Sequence, residues 1–90
     1  RGGSTAQAYR YLGANDLDLA DTTDTDSGRV ALVLEQRGQV SPVSRQSRAR
    51  TGDTVHFLMS RGVAAPAQFE LVREIEHPGR AEAGTPGGDG

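Results

Sequence analysis

Arg45, Arg48 and Arg50 are the residues best placed to do chemistry in this chain. Three guanidinium groups fall within six positions, with Ser44, Gln46, Ser47 and Thr51 supplying hydrogen-bonding groups among them. Each guanidinium presents a planar fork that matches a phosphate or a carboxylate. The chemistry this implies is non-covalent: capture of a small anion such as a nucleotide, or docking on a partner's acidic face. The competing reading is an exposed loop kept soluble by its charge and neutralised by the chain's own aspartates. Both readings stay open on the sequence.

Other reactive constellations fall short. Asp16, Asp18, Asp21, Asp24 and Asp26 form an acidic run without a balancing base. Asp24, Asp26 and Glu35 have the spacing of the first, third and twelfth positions of a calcium loop. However, Gly28 occupies the fifth position and Arg29 stands where the sharp-turn glycine belongs. A solvated acidic loop is the better reading of that run. His56 and His77 are the two histidines, and neither lies in an HxH, HExxH or paired-carboxylate pattern. His56 is expected to stand out from a sheet face. No serine sits in a G-x-S-x-G turn, and no phosphate-cradling glycine loop is present. With no cysteine, disulfides and thiolate-held metals are excluded. The chain is therefore expected to be neither an enzyme nor the holder of a cofactor or metal.

These side chains need a small framework. Ninety residues make one domain, and a hydrophobic fraction of 34% with 12 Gly and 4 Pro leaves a lean core. The glycine-rich end, residues 79–90, is expected to be a disordered tail, and residues 1–3 are expected to be flexible, so the domain should span residues 4–78. No run approaches the roughly 18 apolar residues of a membrane helix. Arg1 is followed by glycines, so no signal peptide is expected. A net charge of −2 with 4% aromatics gives no stacking platform for nucleic acid, which is not expected as a partner. All ten basic residues are arginine.

The expected architecture is α+β: a small sheet of three to four strands with one short N-terminal helix and one C-terminal helix. Ser4 can cap a helix over Thr5–Leu12, with Ala8, Tyr9 and Leu12 sharing a face and Gly13 ending it. Leu17 and Leu19 alternate with Asp16 and Asp18 as a short edge strand, and residues 22–28 read as a loop. Val30–Leu34 is a continuous apolar run suited to a buried strand. Arg37-Gly38 turns the chain, and residues 39–44 return beside it. Pro42 confines that returning strand to an edge. Residues 45–50 read as a polar crossing. Thr51-Gly52-Asp53 turns again into Thr54–Met59, where Val55, Phe57 and Met59 should point to the core. Pro66 suits the first turn of a helix over residues 68–76, carrying Phe69, Val72 and Ile75 on one side, and His77-Pro78-Gly79 would stop it.

The middle of the chain resembles a family. Val30–Leu34, Arg37-Gly38, Pro42 and then Gly52-Asp53-Thr54-Val55-His56-Phe57-Leu58 resemble the TrkA-C module, the C-terminal part of regulatory units attached to cation transporters. Asn15–Leu19 could stand for the short leucine-bearing segment before it. The likeness covers about half the chain, and Gly-Asp turns before strands are common. It implies a cytoplasmic regulatory domain of a potassium or sodium/proton transport protein, a homodimer that binds a small ligand, with the membrane transporter as parent. It transfers no ligand residue. A lesser likeness, over Phe57–Val63 with Ala67 and Leu71, is to the helical end of the SufB/SufD iron–sulfur scaffold and would make that stretch helix–turn–helix.

Two functional readings follow. The first is a regulatory, ligand-binding or dimerising domain of a cation transport protein. The second is a stand-alone interaction protein that binds an acidic partner through its arginines.

Overall fold

Tyr9 and Tyr11, Val55, Phe57 and Met59 recur at every second position, and that period of two governs the fold. The computed structural model describes residues 4–75. In chain order the strands are β1 (Ser4–Tyr11), β2 (Leu17–Asp18), β3 (Arg29–Gln36), β4 (Gln39–Pro42), β5 (Arg48–Ala49), β6 (Thr54–Ser60) and β7 (Phe69–Ile75), with a single 3₁₀ turn at Leu19–Thr22 between β2 and β3. Five of them form one antiparallel sheet in the order β4-β3-β6-β1-β7, and β2 pairs with β5 in a separate two-stranded ribbon.

This is an all-β arrangement, and it corrects the α+β expectation at both ends of the domain. The segment expected as a helix over Thr5–Leu12 is β1, a central strand laddered to β6 on one side and β7 on the other. A helix of eight residues has little stability of its own. Two aromatics and a β-branched residue favour an extended chain that two neighbours can pair. The segment expected as a helix over residues 68–76 is β7. Its Phe69, Val72 and Ile75 follow one another at intervals of three because a bulge intervenes. Leu71 pairs with Tyr9 and Arg73 with Ala8, so Val72 is the extra residue without a partner. A bulge adds one residue to a two-residue repeat and imitates a helical period. The sheet also has more strands than the three or four expected. Residues 45–50, expected as a polar crossing, contribute the short β5 that holds β2.

The central block matches its reading. β3, β4 and β6 occupy the three expected strand positions, and β4 lies at the sheet edge with Pro42 at its end. The stretch Phe57–Ser60 belongs to β6 and is strand, not helix. β3 carries a bulge of its own: Ala31 pairs with Phe57 and Val33 with His56, leaving Leu32 between them. That shift puts Ala31 and Leu34 in the core while Leu32 is exposed.

The core lies on one face of the sheet. Val55, Phe57 and Met59 point into it as expected, joined by Tyr9, Tyr11, Leu19, Ala31, Leu34 and Ala49. The chain's four aromatic rings gather there. Phe57 meets Tyr9 at 5.9 Å and Phe69 at 5.4 Å, both edge-on, and Tyr11 meets Phe69 at 5.1 Å. Such pairs add about 0.5–1.5 kcal/mol beyond their area. Leu17 and Leu19 bring the β2 segment over this face, and Val43, Val63 and Ala65 pack at its margins. The flexible segments expected at residues 1–3 and 79–90 lie outside the described residues, as does His77.

Candidate anion-binding groove

Two tight turns and the β2–β5 ribbon meet at one end of the sheet, and the space between them is an open groove of about 1180 Å³. The β3–β4 hairpin supplies one wall. Gln36 pairs with Gln39, so the loop holds two residues, Arg37 and Gly38. Both have positive φ, 52° and 83°. This is the two-residue hairpin geometry that matches strand twist and favours Asn-Gly or Gly-Gly. Arginine is an unusual choice there, because its Cβ crowds the backbone in the left-handed region.

The opposite wall comes from residues 44–53. Ser47 Oγ accepts the Ser44 amide at 2.8 Å, Ser44 Oγ accepts the Gln46 amide at 3.2 Å, and the Ser47 amide returns to the Ser44 carbonyl at 3.1 Å. The serines expected to face a ligand thus close the turn that leads into β5. Asp53 organises the next turn: its Oδ2 accepts the Arg50 amide at 2.9 Å and the Gln36 side-chain amide at 2.8 Å. Gln36 Nε2 also reaches the Arg48 carbonyl at 3.2 Å. The Thr51 hydroxyl donates to the Gly13 carbonyl, tying this turn to the end of β1. The backbones of Arg48 and Arg50 are therefore held, while both residues remain exposed.

Of the three arginines singled out in the sequence, two share this groove. Arg48 and Arg50 line it with Arg37, which the sequence marked only as a turn residue. Arg45 does not join them. It borders a smaller depression with Ala20, Thr23, Ala31, Val43 and Ser44. The tight Ser44–Ser47 turn, which contains Arg45, separates it from the other two. Asp16 enters the groove from the other side and approaches Arg50 at 3.9 Å, with both side chains more than half exposed. An ion pair that long and that wet holds little energy, so an incoming anion can displace it at small cost. Asp53 already accepts two hydrogen bonds. The groove accordingly presents three exposed arginines, two of them on anchored backbone, against two carboxylates: the loosely held Asp16, and Asp53, whose charge its two neutral donors leave in place.

A second polar cluster occupies the other face of the sheet. His56 was expected to stand exposed there, but it is largely covered. Its Nε2 hydrogen-bonds Glu35 Oε2, which also accepts Arg73 Nη2 at 3.1 Å. The hydrogen bond from His56 is the largest influence on the Glu35 carboxyl and, with the smaller help of Arg73, holds it below its ordinary range against the opposing effect of burial. The cluster joins β3, β6 and β7 across the sheet. The sequence could not show it, because its three members are remote in the chain and meet through strand register. Among the described residues, no group of three metal-ligating side chains is assembled. The acidic run instead forms local turns: Asp18 accepts the Ala20 amide, and Asp24 accepts the Ser27 amide.

No protein-family model, curated protein or solved structure matches the chain. The groove offers hydrogen-bond donors in a fork geometry.

Proposed function

We propose that this chain is a non-catalytic binding module whose groove at Arg37, Arg48 and Arg50 captures an anionic group, a phosphate or carboxylate on a small ligand. The observation that carries the reading is the left-handed backbone of Arg37 at the groove rim. Non-glycine residues in that conformation cost of order 1–3 kcal/mol, persist only where the surrounding structure over-determines them, here the two-residue hairpin, and cluster at functional sites. The strain fits a guanidinium needed opposite Arg48 and Arg50. The TrkA-C resemblance supplies the setting we propose for this module: a cytoplasmic regulatory domain of a cation transport protein, with the transporter as parent. That setting rests on the resemblance alone.

Titration calorimetry with inorganic phosphate, citrate and a cyclic dinucleotide tests the groove. Binding to any of them should fall by about tenfold or more in Arg48→Ala, the loss of one charge-assisted pair. Saturation at about 100 times the Kd should add roughly 2.7 kcal/mol of apparent stability and raise the melting temperature. Absence of binding across the panel would remove the small-ligand reading.

The breadth of the groove favours one second reading, docking on a partner's acidic segment. Arg50 keeps 69% of its side chain exposed, and the walls are open enough for an extended chain. An aspartate-rich peptide that binds where the small anions do not would select it.

A further inference from the structure

We infer that β7 is the interface of a two-fold dimer, in which the β7 strands of two copies of this chain pair antiparallel and join their sheets edge to edge. Among the described residues β7 hydrogen-bonds to β1 alone, and its outer side is a free sheet edge. Such an edge is a template for another strand. The opposite edge is less able to serve: β4 has four residues and ends at Pro42, which has no amide to donate. β7 has seven residues and no proline.

Its side chains suit a second copy of itself. Leu71 and Val72 are 53% and 36% exposed, two adjacent apolar residues on an edge strand. Glu70 and Arg73 flank them. Glu70 pairs in register with Arg10 and Arg73 with Ala8, so the bulge at Val72 brings both charges to one face of the sheet. A two-fold axis passing between Leu71 and Val72 sets Leu71 opposite the partner subunit's Val72. The same axis sets Glu70 opposite the partner subunit's Arg73. Glu70 is already 3.1 Å from Arg10, and Arg73 is 3.1 Å from Glu35. Each side of the axis then reads Arg10, Glu70, the partner's Arg73, the partner's Glu35, with charge alternating at every step. A one-residue slip would set Glu70 against the partner's Glu74, and unlike charges directly opposite are the favoured cross-strand pairs. The interface is isologous, as a closed dimer requires.

Sedimentation velocity on the full chain over a concentration series tests this. A dimer should form, and Leu71→Lys and Val72→Lys should each weaken it by about tenfold or more, with little change in the melting temperature measured at concentrations where the native chain is also monomeric, since both positions are exposed. Because the chain has no cysteine, a mixture of L71C and V72C chains tests the register: the mixed 71–72 disulfide should form faster than either symmetric one. A monomer at every concentration would overturn the inference, as would a dimer that survives both lysine variants, or cross-linking without preference for the mixed pair. Arg48→Ala, which tests the groove, should leave the dimer unchanged, so each idea can fail without the other.

Discussion

Gln36 Nε2 lies 2.8 Å from Asp53 Oδ2, and this bond ties the β3–β4 hairpin to the turn that launches β6. The same carboxylate oxygen accepts the Arg50 amide. One side chain therefore fixes both walls of the groove. Asp53→Ala would leave the Arg50 amide without its acceptor and the Gln36 amide with only the longer bond to the Arg48 carbonyl. It should destabilise the domain by about 1–3 kcal/mol. A urea midpoint would register that loss. Asp53→Asn keeps one acceptor oxygen and should recover part of the stability.

Arg37 should show a trade between stability and binding. Asparagine tolerates the left-handed conformation better than arginine, and Asn-Gly is the preferred pair for this hairpin turn. Arg37→Asn should therefore raise the melting temperature, by an amount equivalent to roughly 0.5–1 kcal/mol, since only part of the strain is relieved. Its affinity for phosphate or citrate should drop in the same preparation. A variant that gained stability and kept full affinity would show that the Arg37 side chain has no part in the groove.

The legible parts of this chain are those where one element dominates a local pattern. β6 could be read because Val55, Phe57 and Met59 alternate without interruption, and β4 because Pro42 leaves only an edge position. The turns at Arg37-Gly38 and Gly52-Asp53 were visible from their glycines, whose φ values are 83° and 94°. β1 and β7 misled for a physical reason. The bulge in β7 stretched a two-residue repeat to three, and Ala8, Tyr9 and Leu12 met a helical template that was too short to decide between the forms. The site was half legible. Arg48 and Arg50 are close in sequence and in space, whereas Arg45 is close only in sequence. Arg37 reaches the groove through hairpin pairing, and an Arg-Gly turn does not disclose what faces it. Its left-handed φ is visible only in the folded chain.

Glu35 makes stability sensitive to acid. Its folded carboxyl lies below the ordinary glutamate range, chiefly through the His56 hydrogen bond. The unfolded chain thus takes up the proton more readily than the folded one. The contribution of Glu35 is present above the ordinary glutamate pKa of about 4.3 and is lost as pH falls through the lower folded value. Urea midpoints measured from neutral pH downward should fall more steeply for the native chain than for Glu35→Gln. Parallel curves would mean that the Glu35 proton is not linked to folding.

Phe57 and Phe69 should be energetically coupled although their strands are not neighbours. β1 runs between β6 and β7, yet the two rings meet edge-on at 5.4 Å with an interplanar angle of 86° beneath it. Phe57 is completely buried, so Phe57→Ala should cost about 3–5 kcal/mol. That is a large share of the stability of a small domain and is expected to leave part of the population unfolded at room temperature. Phe57→Leu and Phe69→Leu are gentler and keep most of the buried volume. If the contact ties β7 to the rest of the core, the double variant should be less destabilised than the sum of the single changes. The difference should be about 0.5–1.5 kcal/mol, the usual worth of an aromatic pair beyond its area. Strict additivity would mean that the two rings only fill space. β7 would then depend on its ladder with β1 and on the Arg10–Glu70 and Arg73–Glu35 pairs, both exposed enough to contribute little on their own.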